Sequence, residues 1–390
     1  MSAKFLHTAD WQLGKPFAGI ADPQKRALVQ QQRLDAIQRL GTAAKDHQAE
    51  FILVAGDLFD SSSVGKSTVA AACSAIGSLE IPVIVIPGNH DHGGPGSIWH
   101  QPYFQRETAH LSPNLKVLLS PEPVELPTAV IFPCPLLRRA ETVDPSTWIR
   151  SLALPNDAFA GKPRIVLAHG STQGFGGSGD EDDGDSDPSN RLDLSRIPTD
   201  QFDYIALGDW HGTKQVSDKA WYAGTPELDR FPKGDSNEPG HCLVVACGRG
   251  TAPSVQTIRT AKIGWHDLAF DFVDDSDLAG LQARLDELLG KRAQEDLLRL
   301  ELSGALGLSA FNQLQHLVES LEARLLRLKL ANRTVISPSS EEINLLTQRT
   351  ADPLISRVAV QLMARANGEG DDADIARLAL RELHLACERT

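Results

Sequence analysis

The feature that most restricts the fold of this chain is a recurrence. Five times a short apolar run, of the kind that forms a buried strand, ends in a small polar cluster. FLHTA precedes Asp10-Trp11-Gln12, and FILVA precedes Gly56-Asp57-Leu58-Phe59-Asp60. VIVIP precedes Gly88-Asn89-His90-Asp91, RIVLA precedes His169-Gly170, and YIAL precedes Gly208-Asp209-Trp210-His211. Helical spacing lies between several of these runs. Leu28, Leu34, Ile37 and Leu40 predict a helix over residues 23–47, and residues 66–79 predict another. Strand–helix–strand repetition implies right-handed crossovers and a largely parallel or mixed sheet. In such sheets the carboxyl ends of the strands share one edge, and sites form there. A lone Asp after a strand is ordinarily a cap or turn residue. Five clusters on five strands aim Asp, Asn, His and Gln at one place.

The donor set is Asp10, Gln12, Asp57, Asn89, His169, Asp209 and His211, with no Cys. Hard oxygen with imidazole suits Mn²⁺, Mg²⁺ or Fe²⁺, and Zn²⁺ less strongly. The donors exceed the needs of one ion. Two ions about 3.5–4 Å apart, sharing a carboxylate, are the usual arrangement for cutting phosphate esters.

Charge bears on the substrate. The 390 residues carry a net charge of −13, with six acidic residues packed into Asp180, Glu181, Asp182, Asp183, Asp185 and Asp187. Such a chain does not coat duplex DNA by bulk charge, because phosphate binding draws on Lys and Arg. Nucleic acid would have to be held by bound metal, a local basic groove or a basic partner. The low-complexity segment 174–190 predicts a disordered, solvated surface loop. No apolar run approaches the roughly 18 residues of a membrane span. The start of the chain shows no signal peptide. Five cysteines in no C-x-x-C pair read as free thiols in a reducing cytoplasm.

Residues 263–334 predict a second unit in β-α-β-α-β order. Residues 335–390 predict a thin helical segment. Pro353 suits a first helical turn, and Leu354, Ile355, Val358, Leu362 and Met363 follow on one face. A small hairpin cannot bury such a face alone, so it needs its own chain or a partner.

These motifs resemble those of the calcineurin-like metallophosphoesterases, which run D-x-H, G-D-x-x-D, G-N-H-D/E, H and G-H-x-H. FLHTADWQLGKPF and the later Trp221-Tyr222-Ala223-Gly224-Thr225-Pro226 further resemble the SbcD-type DNA exonucleases and their Mre/Rad-complex counterparts. The resemblance implies an α/β metallophosphoesterase sandwich of mixed sheets flanked by helices over 1–262. It implies a small α/β capping-like domain over 263–334 and a helical partner-binding tail over 335–390. It implies a metal-dependent DNA exonuclease, or endonuclease, in DNA repair or defence. The implied partners are DNA, an SbcC/Rad-like ATPase docked on the C-terminal helices, and a second copy of the chain. The alternatives are a small-molecule or cyclic-nucleotide phosphodiesterase on the same fold, and a weakened scaffold subunit.

Carried across by motif, Asp10, Gln12, Asp57 and His211 would hold a first ion. Asp57, Asn89, His169 and Asp209 would hold a second, with Mn²⁺ preferred to Mg²⁺. His90 would protonate the leaving oxygen, with its imidazole hydrogen-bonded by Asp60. Gln12 and Asp209 depart from the motif, which has His at both positions. Gln is a weak neutral ligand and Asp adds a full negative charge. The departures read either as a harder site tuned to Mn²⁺ or Mg²⁺, or as a centre reduced to one ion or none. Retention of Asp57, Asn89, His90, His169 and His211 favours the first.

Overall fold

Strands that are apolar without alternation need cover on both faces, and the first part of the chain supplies it. A computed structural model describes every residue except 153, 155–157, 173–188, 232–237, 338, 351, 369 and 389–390. The chain divides into two units, Met1–Ile263 and Gly264–Thr390. In the first, one six-stranded sheet runs β14 (Ser254–Arg259), β13 (His241–Gly248), β1 (Ser2–Thr8), β2 (Ile52–Val54), β3 (Val83–Val85), β4 (Leu115–Val117). β1 to β4 are parallel, while β13 and β14 are antiparallel to their inner neighbours. The other sheet runs β11 (Lys214–Gln215), β12 (Ala220–Tyr222), β10 (Tyr204–Gly208), β7 (Arg164–His169), β6 (Val130–Cys134), β5 (Val124–Glu125). Its central four strands are parallel. A short parallel pair, β8 (Ser171–Thr172) with β9 (Arg191–Leu192), stands apart.

The period-two alternation of strands sorts the core into layers. Phe5, Leu53, Ile84, Val245, Ile165, Leu167 and Tyr204 share the core between the sheets. Leu6, Ile52, Val54, Val83 and Val85 share another with residues of α1 (Pro23–Asp46), α2 (Lys66–Gly77) and α3 (Pro102–Leu111). Phe132, Val166, Ile205 and Leu207 share a third with Ile149 of the short α4 (Thr147–Arg150) and with Phe202. The unit is a mixed α/β sandwich, as expected. α1 starts where Asp22 accepts hydrogen bonds from the amides of Gln24 and Lys25, with Pro23 at the first helical position. Gly65 caps α2 at its N-terminus. The predicted disordered segment 174–190 falls almost wholly outside the described residues.

The second unit is built on three parallel strands, β15 (Gly264–Phe272), β16 (Asp296–Leu306) and β17 (Arg327–Asn332), with β18 (Val335–Ile336) also on β16. α5 (Asp277–Leu289) and α6 (Leu308–Arg324) make the crossovers. Three helices follow: α7 (Ser340–Thr347), α8 (Pro353–Ala366) and α9 (Asp371–Glu388). The helical segment from 335 lies within this second unit. Ala359 and Ala366 of α8 and Ala376 and Leu380 of α9 belong to the same buried core as Leu300, Leu308, Phe311 and Leu314. The helices spend part of their apolar faces on their own chain, which is what a short hairpin requires. Leu354, Val358, Ile375 and Leu378 remain exposed. Among the described residues no helix is long and apolar enough to cross a membrane.

Candidate metal centre

The five polar clusters sit at the carboxyl ends of β1, β2, β3, β7 and β10, three in one sheet and two in the other. Backbone hydrogen bonds join their loops. Asp10 N donates to Gly56 O (3.1 Å), Gln12 N to Asp57 O (2.9 Å), Leu13 N to Leu58 O (2.9 Å) and Gly170 N to Gly208 O (3.1 Å). Asp10, Gln12, Asp57 and Asp209 all adopt positive φ, at 53°, 42°, 53° and 102°. A non-glycine residue in that region is strained, and such strain collects at functional sites. Close packing fixes the neighbouring glycines: a Cβ on Gly88 would lie 2.1 Å from Asp57 Oδ1, and one on Gly56 would lie 2.2 Å from His169 Nδ1.

His169 is the hub. Its Nδ1 lies 2.8 Å from the main-chain oxygen of Ala55. Around its Nε2 stand Asn89 Oδ1 at 2.9 Å, Asp57 Oδ2 at 3.6 Å and Asp209 Oδ1 at 3.8 Å. Asp10, Asp57 and His169 also form a buried group whose ligand atoms all lie within 4.8 Å of one another. Donors bound octahedrally at about 2.1 Å stand about 3 Å apart when adjacent, so these separations fit a shared ion. The electrostatics agree. Burial raises the Asp10 carboxyl to about 8, with Asp57 and Asp209 adding to the rise and His169 opposing it. Burial lowers the His169 imidazole, but the carboxylates of Asp57, Asp10 and Asp209 outweigh it and lift the group to about 9. The Asp10 and Asp209 carboxyls, both raised by burial, hold charge poorly without a counter-cation, and a divalent ion supplies one.

His90 is placed beside this group. Its amide donates to Asp57 Oδ1 at 3.0 Å. Its Nδ1 lies 2.9 Å from Asp60, but from the main-chain oxygen. The Asp60 carboxylate lies 3.8 Å from Lys15 Nζ. Burial pulls the His90 imidazole down; Asp57 and the Asp60 carbonyl outweigh it, and the net shift is upward.

Gln12 and His211 are brought together, Nε2 to Nε2 at 3.4 Å, but both are engaged by residues that sequence reasoning missed. Lys15 Nζ donates to Gln12 Oε1 at 2.9 Å and lies 3.2 Å from Asp229 Oδ2. His211 Nδ1 lies 3.1 Å from Asp229 Oδ1, and Arg230 Nη2 lies 2.8 Å from Nδ1 and 3.1 Å from Nε2. Burial, reinforced by Arg230, lowers the His211 imidazole to about 4. Two further polar residues hold the loops. Buried Arg33 of α1 donates to the main-chain oxygens of Asp10 (3.1 Å), Trp11 (2.6 Å) and Glu227 (3.0 Å). Asp91 accepts from Phe59 N (3.0 Å) and Gly88 N (2.8 Å), tying the second cluster to the third. His7 is a buried strand residue between Tyr204 OH and Leu207 O. Lys15, Asp229 and Arg230 lie outside the five clusters. Their only sequence signal is proximity to Gln12 on one side and to the Gly224-Thr225-Pro226 stretch on the other.

Residues 3–237 match the family model described as calcineurin-like phosphoesterase. The chain belongs to that family, and the family's chemistry is metal-dependent hydrolysis of phosphoesters. Among solved structures it is similar to the TT1561 protein of Thermus thermophilus, at 11% identity and a TM-score of 0.39. That match covers 67% of this chain and all of the other. It is also similar to a putative 5'-nucleotidase from Staphylococcus aureus, at 12% identity and a TM-score of 0.37, covering 74% of this chain and 59% of that one.

Proposed function

We propose that this chain is a metal-dependent DNA phosphodiesterase, with Mn²⁺ preferred to Mg²⁺, acting as the nuclease subunit beside an SbcC/Rad-like ATPase. The observation that carries the hydrolytic part is the set of oxygen donors around His169 Nε2 with His90 at its edge. A divalent ion held by Asp57, Asn89, His169 and Asp209, with Asp10 adjoining, would polarise a phosphate and lower the pKa of bound water. The chain's own residues do the rest. The Ala55 carbonyl takes the His169 Nδ1–H, leaving Nε2 as the ligating nitrogen. The Asp60 carbonyl likewise takes the His90 Nδ1–H and turns Nε2 outward, where it can carry a proton to the leaving oxygen.

Support for DNA as the substrate is narrower. It consists of the N-terminal FLHTADWQLGKPF motif, the added α/β unit, and the exposed apolar residues Leu354, Val358, Ile375 and Leu378 on α8 and α9. A basic ATPase partner would supply the phosphate grip that a chain of net charge −13 lacks. The test is cleavage of linear DNA by the purified full chain with added Mn²⁺. Loss of cleavage on chelation and in His90→Ala is expected. Hydrolysis of small phosphodiesters with intact DNA would remove the nuclease reading and leave the hydrolase.

A further inference from the structure

The two departures from the family motif fall on opposite sides of the site and act in the same direction. On the His169 side, Asp209 places a carboxylate oxygen 3.8 Å from Nε2, where a neutral imidazole would stand in the motif. That strengthens the attraction for one cation. On the His211 side, Gln12 replaces the other imidazole, and an amide can ligate only through its oxygen. That oxygen faces the Lys15 ammonium at 2.9 Å. Turning the amide over would set its NH₂ against the same ammonium.

His211 is equally engaged. Asp229 Oδ1 stands 3.1 Å from its Nδ1, and Arg230 Nη2 stands 2.8 Å from the same atom; with the Nδ1 proton directed at Asp229, Nε2 is the nitrogen able to ligate. Nε2 faces the Gln12 NH₂ at 3.4 Å and the Arg230 guanidinium at 3.1 Å. An ion on this nitrogen would have to displace the Gln12 amide and approach two fixed cations, the Lys15 ammonium and the Arg230 guanidinium. Lys15 is itself anchored by Asp229 at 3.2 Å and lies 3.8 Å from Asp60, so its ammonium is built in and not a surface charge that happens to reach the site.

We infer that the centre takes one divalent ion per chain, held by Asp10, Asp57, Asn89, His169 and Asp209, and that the Lys15 ammonium and Arg230 guanidinium provide the positive charge on the Gln12–His211 side. A fixed ammonium can bind a phosphate oxygen as a point charge. This inference rests on the metallohydrolase reading above and replaces the two-ion expectation.

The experiment is equilibrium dialysis of the full chain against excess Mn²⁺ with elemental analysis, paired with electron paramagnetic resonance of the loaded protein. One ion per chain and the spectrum of an isolated Mn²⁺ are expected. Two ions per chain, or an exchange-coupled pair, would overturn the inference while leaving the hydrolase reading intact. No bound ion would remove both. Inorganic phosphate binding to the Mn²⁺-loaded protein then tests the charge. Lys15→Met should keep one ion and weaken phosphate binding about 10- to 100-fold, the usual range for a hydrogen bond to a charged group. Lys15→Arg should recover part of that loss. Unchanged phosphate affinity in a folded, one-ion Lys15→Met protein would overturn the assignment of charge to Lys15.

Discussion

The imidazole of His169, at the end of one sheet, meets the main-chain oxygen of Ala55, at the end of the other, across 2.8 Å. This bond spans the sandwich and sets the tautomer of the residue around which the remaining donors gather. A ligand held by its second nitrogen loses metal affinity when that support is disturbed, typically by about 10- to 100-fold.

Gly56→Ala tests the relationship without removing a ligand. The new Cβ would meet His169 Nδ1 at 2.2 Å, and the backbone there has φ +90°. Mn²⁺ affinity, measured by calorimetry, should fall by at least about tenfold, with the far-ultraviolet spectrum unchanged. Wild-type affinity would show that the imidazole is not positioned by this contact.

His90→Ala should lower hydrolysis by about 10²–10⁴, the usual contribution of a general acid–base group. Bound metal should stay at the wild-type level, because the His90 ring contacts Asp60 O and not the donors around His169. Loss of metal together with rate would make His90 a ligand.

Arg33→Met keeps an unbranched apolar stem and removes every side-chain donor. The oxygens of Asp10, Trp11 and Glu227 would then be buried without their partner. The expected cost is about 3 kcal/mol or more. The thermal transition of the first unit should drop by roughly 5–10 °C. A shift of a degree or less would mean that water replaces the guanidinium.

Glu342 joins two helix starts in the second unit. Its carboxylate accepts from Leu308 N (3.1 Å) and Ser309 N (2.9 Å) at the start of α6, and from Ser339 N (2.9 Å) at the start of α7. Burial raises its pKa, but those three amides outweigh it and hold the group below the ordinary 4.5. A depressed carboxylate stabilises the fold above its unfolded pKa, and that stability is lost as pH falls through the folded value. Glu342→Gln should therefore cost about 1–2 kcal/mol at neutral pH. The gap from wild type should close below about pH 4.5. Thermal melts across pH 3–7 would reveal it, and a constant gap would exclude the charge as its cause.

Partner binding is best probed at the surface. Truncating α8 and α9 would strip Ala359, Ala366, Ala376 and Leu380 from the second unit's core and unfold it. Leu354→Ser with Ile375→Ser changes only exposed side chains. Copurification with the proposed ATPase partner should be lost while the melting temperature stays within about 2 °C, as expected of surface changes. Retained copurification would place the ATPase contact elsewhere.

The sandwich and five of its strand ends were legible because each strand carries its own polar cluster directly after it. Asp10, Asp57, Asn89, His169 and Asp209 could be assembled from that pattern and the family motif. The pattern says nothing of which atom makes a contact; it pairs Asp60 with His90 but does not show that the main-chain oxygen is the acceptor. Arg33, Lys15, Asp229 and Arg230 were not legible. Arg33 reaches Glu227 and Lys15 reaches Asp229 across sequence separations that no local spacing records, although Lys15 also contacts Gln12 three residues away. The C-terminal helices show a different limit. Their apolar periodicity marks a face to be covered, but α6 and α9 meet only in three dimensions.

The position of β1 in its sheet has a consequence for how the protein is made. β1 leads into Asp10, and it is bonded to β2 on one edge and to β13 on the other, from Ser2 opposite Gly248 to His7 opposite Leu243. Synthesis delivers the N-terminus first. β1 therefore keeps one edge bare until residues 241–248 follow it. A nascent or clipped chain that stops short of β13 would offer that bare edge to any neighbouring strand.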